Sequence, residues 1–201
     1  MERLTNLNDV LDRVWHRLER AAEKPGHPFR TLTLGTARED APHVRTVIVR
    51  DTDRDARRLA FHTDRRTRKV EDIRDSDRIA WHGWTPDTRE QLRLQGTATV
   101  HCDDEVADAL WAAERPSSLD VYVRDDEPGT PVDRPRDGRA EAVRNKTLTR
   151  ADVAEGRPYF AAVRTVIDEI EWLHLHPEGH YRARFAFDAT EERFEGNWIL
   201  P

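Results

Sequence analysis

At 201 residues the chain suits one domain, and 37% hydrophobic residues, with six Trp and six Phe, are enough to seed a core. A formal net charge of −6 argues against a general binder of nucleic acid or anionic membrane, which needs a net basic face. The single cysteine, Cys102, excludes an intrachain disulfide and every multi-cysteine zinc or iron–sulfur centre.

No apolar run nears the roughly 18 residues of a membrane span. The opening MERLTNLNDV has no apolar stretch of the signal-peptide kind, so the expected location is the cytoplasm. Lys24, Lys69 and Lys146 are the only lysines, and arginine supplies the other basic side chains. GC-rich codon usage, or a mildly salt-adapted host, accounts for that bias. It also makes a lysine inside a basic cluster informative.

Leu7, Val10, Leu11, Val14 and Leu18 recur at helical spacing, which predicts an amphipathic helix over 7–23, capped by Asn6 or Asn8 and ended by Pro25-Gly26. The period then changes to two. FRTLTLGTA (29–37), HVRTVIVR (43–50) and RLAFHT (58–63) read as strands of a meander, separated by turn-like REDAP and DTDRDA. A short basic helix is expected over 66–75, then strands at 78–84 and 89–100. In the second of these, Leu92 and Leu94 face one side and Gln91, Arg93 and Gln95 the other. DDEVADALWAAE (103–114) reads as a helix capped by Asp103 or Asp104. Residues 116–158 hold five of the eleven prolines and read as a long functional or partner-covering loop, with one helix around 138–146. Strands near 159–175, 180–188 and 193–199 close the chain. This order predicts one domain over 1–201, an antiparallel barrel of about eight strands with peripheral helices, and no repeat or linker.

No GxGxxG, GK[ST] phosphate loop, HExxH or GxSxG is present, and no local Ser-His-Asp or Cys-His signature. Asn145-Lys146-Thr147 matches a glycosylation acceptor that a chain without a secretory signal would not use. His174 and His176 would share a strand face near His180, but no acidic or Cys partner is obvious, and no metal is expected. The informative concentration lies between 45 and 69. Arg45 and Arg50 bracket a strand, Thr63 ends the next, and Arg65, Arg66, Arg68 and Lys69 gather at a helix N-terminus. Guanidinium, ammonium and hydroxyl donors at such a terminus suit a phosphate monoester. The alternative is a solvated basic helix paired with Asp64, Glu71 and Asp72.

RTVIVR (45–50), FHTD (61–64), TRK (67–69) and TREQLRLQG (88–96), followed by IEWL (170–173), RARF (182–185) and a late Trp198, stand in an order and spacing that resemble a known family. The chain from about 29 onward is similar to the pyridoxamine 5′-phosphate oxidase family of FMN-binding split barrels. TREQLRLQG is nearest the oxidase-like branch whose substrates are mostly unassigned. The resemblance implies a split-barrel homodimer with FMN at the interface. It assigns Arg45, Thr63, Arg68 and Lys69 to the FMN phosphate and ribityl chain. Main chain of Thr46, Val47, Ile48 and Val49 would follow the flavin edge, with Arg50 and His62 adjoining. Gln91 would reach the ring from the second subunit, and Arg184 its N1 side. Trp172 is a flavin contact or a core aromatic, because the family's Trp often falls one place later.

The implied activity is FMN-dependent redox chemistry, with substrate hydride passing to flavin N5 and no protein general base evident. The substrate subsite implied by resemblance comprises Arg50, Trp111, Arg115, Ser118 and His180. Here Arg50 replaces the usual Lys and Trp111 the Tyr, Ser117 or Ser118 stands near the Ser position, and the family's late Arg-x-His is absent from Gly179-His180-Tyr181-Arg182-Ala183-Arg184. His180 donates no bidentate pair, so the natural substrate is expected not to be pyridoxine phosphate. The alternatives are an authentic pyridoxamine/pyridoxine 5′-phosphate oxidase, or a non-catalytic module holding flavin or another cofactor.

Overall fold

The computed structural model describes residues 4–39 and 41–201, so Asp40 of the REDAP turn and the first three residues of MERLTNLNDV lie outside it. Helix α1 spans Leu7–Glu23. Its Asn6 cap accepts from Asn8 N at 2.8 Å, and Val10, Val14, Trp15 and Leu18 face inward. Strands β1 (Thr31–Arg38), β2 (Ala41–Asp53) and β3 (Arg58–Asp64) form the meander. Helix α2 (Arg68–Asp75) leads to β4 (Arg78–Thr85) and β5 (Glu90–His101). Helix α3 (Glu105–Ala113) is capped by Asp104, which accepts from Ala107 N at 2.9 Å. Two one-turn helices, α4 (Pro116–Leu119) and α5 (Arg150–Val153), precede β6 (Phe160–His174), β7 (Tyr181–Asp188) and β8 (Arg193–Ile199).

All strand pairs are antiparallel, in the order β3-β2-β1-β4-β5-β6-β7-β8. A further pairing of β3 with β6 closes a six-strand barrel. Strand β6 is long enough to serve two partners along one edge. Its first half meets β3, and residues 169–174 meet β7, which carries β8 away from the ring. The expected eight strands are therefore present, but six close the barrel and two extend from it. Gly96 sits where β5 shifts register against β6, and a Cβ there would overlap the Val166 carbonyl oxygen. The main core fills the barrel and reaches under α1, with Trp15, Leu34, Phe61, Trp81, Leu94 and Phe185 among its buried side chains.

The segment 116–158 departs from the expected loop with a helix around 138–146. Within that span only a 3₁₀ turn forms, at Glu141–Val143. Gly138 adopts φ 68°, a conformation that breaks a helix, and Arg139 and Arg144 turn back onto Asp137. The segment builds a second core from Leu119, Tyr122, Val123, Val143 and Val153 against Ala107 and Phe160. Arg150 fastens it to α3, donating to the carbonyls of Trp111 (2.9 Å), Ala112 (2.6 Å) and Glu114.

Candidate functional site

Thr63 is the last but one residue of β3, and Lys69 is the second residue of α2, within its first turn. Lys69 Nζ donates to Thr63 Oγ1 (3.0 Å) and Thr67 Oγ1 (3.1 Å), and among the described residues no carboxylate pairs with it. Burial first, and then the charge of nearby Arg45, push the Lys69 pKa down. Arg68 is exposed and forms no hydrogen bond or ion pair with the described residues. Arg45 reaches this cluster from β2, donating to Thr36 Oγ1 (2.6 Å) and to Asp72 Oδ2 (3.2 Å). The two other basic residues that the sequence gathers here are engaged elsewhere. Arg65 bonds Asp103 at 2.8 Å, and Arg66 holds Asp64 at 2.7 Å. The hydroxyls of Thr63 and Thr67, the ammonium of Lys69 and nearby Arg45 thus meet at a helix N-terminus, with no carboxylate hydrogen-bonded to Lys69 among the described residues, and this donor set suits a phosphate ester.

Strand β2 beside the cluster has an open edge. Residues 41–48 pair with β1, whereas β3 joins the opposite edge only from Val49 onward. Main-chain groups of residues 41–48 that point away from β1 therefore have no ladder partner among the described residues, while the side chains of Val47 and Val49 enter the core. A flat heterocycle with polar edges fits such an edge.

Arg50, in the irregularity between Val49 and Asp51, faces a cleft of about 770 Å³. Arg30, His62, Glu114, Arg115, Ser118 and Arg164 line the same cleft. Of the expected substrate residues, the structure brings together Arg50, Arg115 and Ser118. Trp111 turns aside into the second core, edge-on to Phe160 at 5.4 Å and tilted against Tyr122 at 5.9 Å. His180 lies elsewhere, beside Tyr181, Arg182 and Trp198.

Gln91 and Arg184 project from the outer face of the sheet. Gln91 stands opposite Trp84 and Leu173 and lies 3.3 Å from His82 Nε2, while Arg184 donates to Glu169 at 2.6 Å. Neither lines the arginine cleft or bonds to the Lys69 cluster. Trp172 requires a correction. Its ring is buried in the barrel core and its Nε1 donates to Glu90 Oε1 at 3.0 Å, so it is a core aromatic. Side-chain direction alternates along β6, and the outward position is that of Leu173. His174 packs edge-on to His176 at 5.3 Å, and among the described residues no three His, Cys, Asp or Glu side chains are arranged to hold a metal.

Two features escaped the sequence reading. Asp72, which the sequence offered only as a partner for the basic residues of its own helix, is fully buried and backs Arg45 of β2. Glu114 lies against both His62 (Nδ1–Oε1 3.2 Å) and Arg50 (Nη1–Oε1 3.8 Å). Only the acid side of each pair could have signalled it, and acids are too common here to single out.

Residues 12–102 match the family model described as pyridoxamine 5′-phosphate oxidase, FMN-binding domain. Two curated proteins named pyridoxine/pyridoxamine 5′-phosphate oxidase are similar. That of Anaeromyxobacter dehalogenans is 38% identical over 104 residues, 51% of this chain and 51% of that protein. That of Alkalilimnicola ehrlichii is 36% identical over 101 residues, 49% and 48% respectively. The chain spans about half the length of these curated relatives. Among solved structures, a pyridoxamine 5′-phosphate oxidase-related FMN-binding protein of Nostoc punctiforme superimposes with a TM-score of 0.71 at 20% identity, covering 100% of both chains. PhzG of Burkholderia lata, solved with tetrahydrophenazine-1-carboxylic acid, gives 0.70 at 20% identity over 96% of this chain and 92% of that one. At such identity the likeness is one of fold. Among the described residues no helix is long and apolar enough to cross a membrane.

Proposed function

We propose that the chain, whose residues 12–102 match the family model described as pyridoxamine 5′-phosphate oxidase, FMN-binding domain, is an FMN-dependent oxidoreductase whose substrate enters the arginine-lined cleft. The observation that carries this reading is Lys69, a desolvated ammonium bonded only to the hydroxyls of Thr63 and Thr67 beside Arg45. A phosphate ester supplies the anion this arrangement lacks, and the α2 N-terminus favours the same charge. Arg68 adds a guanidinium from the exposed side of that helix. The open edge of β2 up to Ile48 offers main-chain groups to the rim of the ring.

Bound FMN supplies two-electron redox chemistry, and the protein supplies placement and charge. Arg50 and Arg115 orient an acidic substrate, and residues of α3 and α4 form one wall of the cleft. Gln91 and Arg184 lie on the outer face, so their expected flavin contacts require a second copy of the chain. The homodimer is therefore part of this proposal.

Titration with FMN tests the reading. The parent protein is expected to bind it and to show the absorbance bands of oxidised flavin. Arg68→Ala is expected to weaken FMN binding by about 1.5–3 kcal/mol, the range for a hydrogen bond to a charged group. It should leave folding intact, because the side chain is exposed and unpaired among the described residues. Arg136→Ala, at a residue paired instead with Asp126 at 2.8 Å, serves as the control and should change nothing. An unchanged affinity in Arg68→Ala would remove that residue from the phosphate site, and a parent that ignores FMN would end the proposal.

A further inference from the structure

Four guanidiniums border the cleft, those of Arg30, Arg50, Arg115 and Arg164, and they are not equally free. Arg30 donates to the carbonyls of Ala21 (3.1 Å) and Ala22 at the end of α1. Arg115 is exposed, and its guanidinium has no partner among the described residues, while its main-chain N–H supports the Glu114 carboxylate. The Nε of Arg164 is buried and unbonded. Of the four, Arg50 is the one that the described residues pair with a carboxylate, that of Glu114 at 3.8 Å, and the charge of Glu114 is felt at Arg30 as well.

Glu114 is held from several sides. His62, whose side chain is only 6% exposed, meets its Oε1 at 3.2 Å. Its own main-chain carbonyl is clamped by Arg150. The hydrogen bond from His62 outweighs the desolvation that opposes ionisation, and with the charge of Arg50 it keeps the carboxyl below its ordinary range. Glu23, exposed at the rim, and Asp51, paired with Arg58 at 3.0 Å, also border the cleft, and Glu114 is the carboxylate held against Arg50, a fixed negative charge at neutral pH.

We propose that Glu114 sets the charge class of the substrate: the cleft takes a monoanion of the carboxylate kind and turns away phosphate-ester dianions. A carboxylate can pair bidentately with Arg115 or Arg164 and leave the Arg50–Glu114 contact undisturbed. A dianion large enough to engage both Arg50 and Arg115 must bring its second charge close to Oε1 of Glu114. Like charges a few ångströms apart in a partly desolvated cleft repel strongly, and the clamped main chain limits retreat. This inference rests on the cleft being the substrate site of the proposed oxidoreductase.

The test is isothermal titration of the FMN-loaded protein at pH 8 with two probes that share a ring. Pyridoxine 5′-phosphate is then a dianion, since the second phosphate pKa is about 6, and 4-pyridoxate is a carboxylate. The parent is expected to bind 4-pyridoxate at least tenfold more tightly. Glu114→Gln preserves the side-chain shape and a hydrogen-bonding partner for His62. It is expected to tighten pyridoxine 5′-phosphate at least tenfold while moving 4-pyridoxate by less than threefold. A parent that prefers the phosphate, an unchanged phosphate affinity in Glu114→Gln, or no binding of either probe to both proteins overturns the inference. FMN affinity, measured in the same samples, reports on the separate Lys69 cluster. Its absence would sink the flavin reading, and the two probes titrated into the flavin-free protein would still decide the role of Glu114.

Discussion

The carboxylate of Asp72 is fully buried on α2, where it accepts from Thr36 Oγ1 at 2.8 Å and Arg45 Nη2 at 3.2 Å, with His43 Nδ1 3.4 Å away. Burial alone would raise its pKa. The hydrogen bonds from Thr36 and His43 and the charge of Arg45 overcome that and hold it below the usual carboxylate range. A group whose folded-state pKa is depressed contributes stability that is present above its unfolded value, near 4, and is lost as the pH falls through the folded value. Denaturant unfolding measured from neutral to acid pH should therefore show the parent losing stability below about pH 4. Asp72→Asn is expected to be less stable by about 2 kcal/mol at pH 7, where it leaves Arg45 without its counter-charge. The difference should narrow on acidification, because the parent carboxyl is then neutral as well. A constant difference across that range would show that Asp72 acts through packing and not through charge. The same residue steadies the guanidinium that faces the Lys69 cluster, so residue chemistry and the placement of the anion site are one arrangement.

Helix α1 is docked to the barrel by one acid. Glu90, at the start of β5 and 1% exposed, receives Arg13 Nε at 2.7 Å, Arg17 Nη1, Thr88 Oγ1 at 2.6 Å and Trp172 Nε1 at 3.0 Å. Removing one partner from such a network strands the others in a desolvated site. Glu90→Ala should cost about 3–5 kcal/mol in urea unfolding. Asp12→Ala, which breaks an exposed pair with Arg54 at the same helix, should cost under about 1 kcal/mol. Equal losses would mean that α1 is held by its apolar face alone. Helices and strands of this chain were legible because their signals are local: α1 occupies the span its periodicity predicts, and Thr63, Arg68 and Lys69 lie within a few residues of one another. The pairings that finish the site are not local. Glu90 and Arg13 lie 77 residues apart, and nothing in the sequence distinguishes Glu90 from its acidic neighbours. Arg65 and Arg66 resembled phosphate donors until the fold gave them Asp103 and Asp64. Trp172 illustrates parity: one position along β6 separates the core from the outer face.

The whole molecule leaves a surface that a single copy does not explain. On β2, Val44 is 72% exposed and Ile48 43% exposed, beside a strand edge whose main-chain groups away from β1 are unpaired up to Val49. An exposed, partly apolar strand edge invites association. Across β1 and β4 on the same outward face, Trp84 is 42% exposed and neighbours Gln91. Gln91 and Arg184 stand on that outer face and outside the Lys69 cluster, and in the proposed dimer they would reach a ligand held at β2 and α2 of the other copy. Sedimentation of the flavin-loaded protein is expected to give a dimer. Val44→Asp places a carboxylate on this patch at a position too exposed to support the core, so the monomer should still fold. It is expected to shift sedimentation towards the monomer and to weaken FMN binding in parallel, with the unfolding midpoint of the flavin-free chain little changed. A parent that sediments as a monomer with FMN fully bound would show that one copy completes the site, and Gln91 and Arg184 would then belong only to the polar ladder they already form with His82 and Glu169.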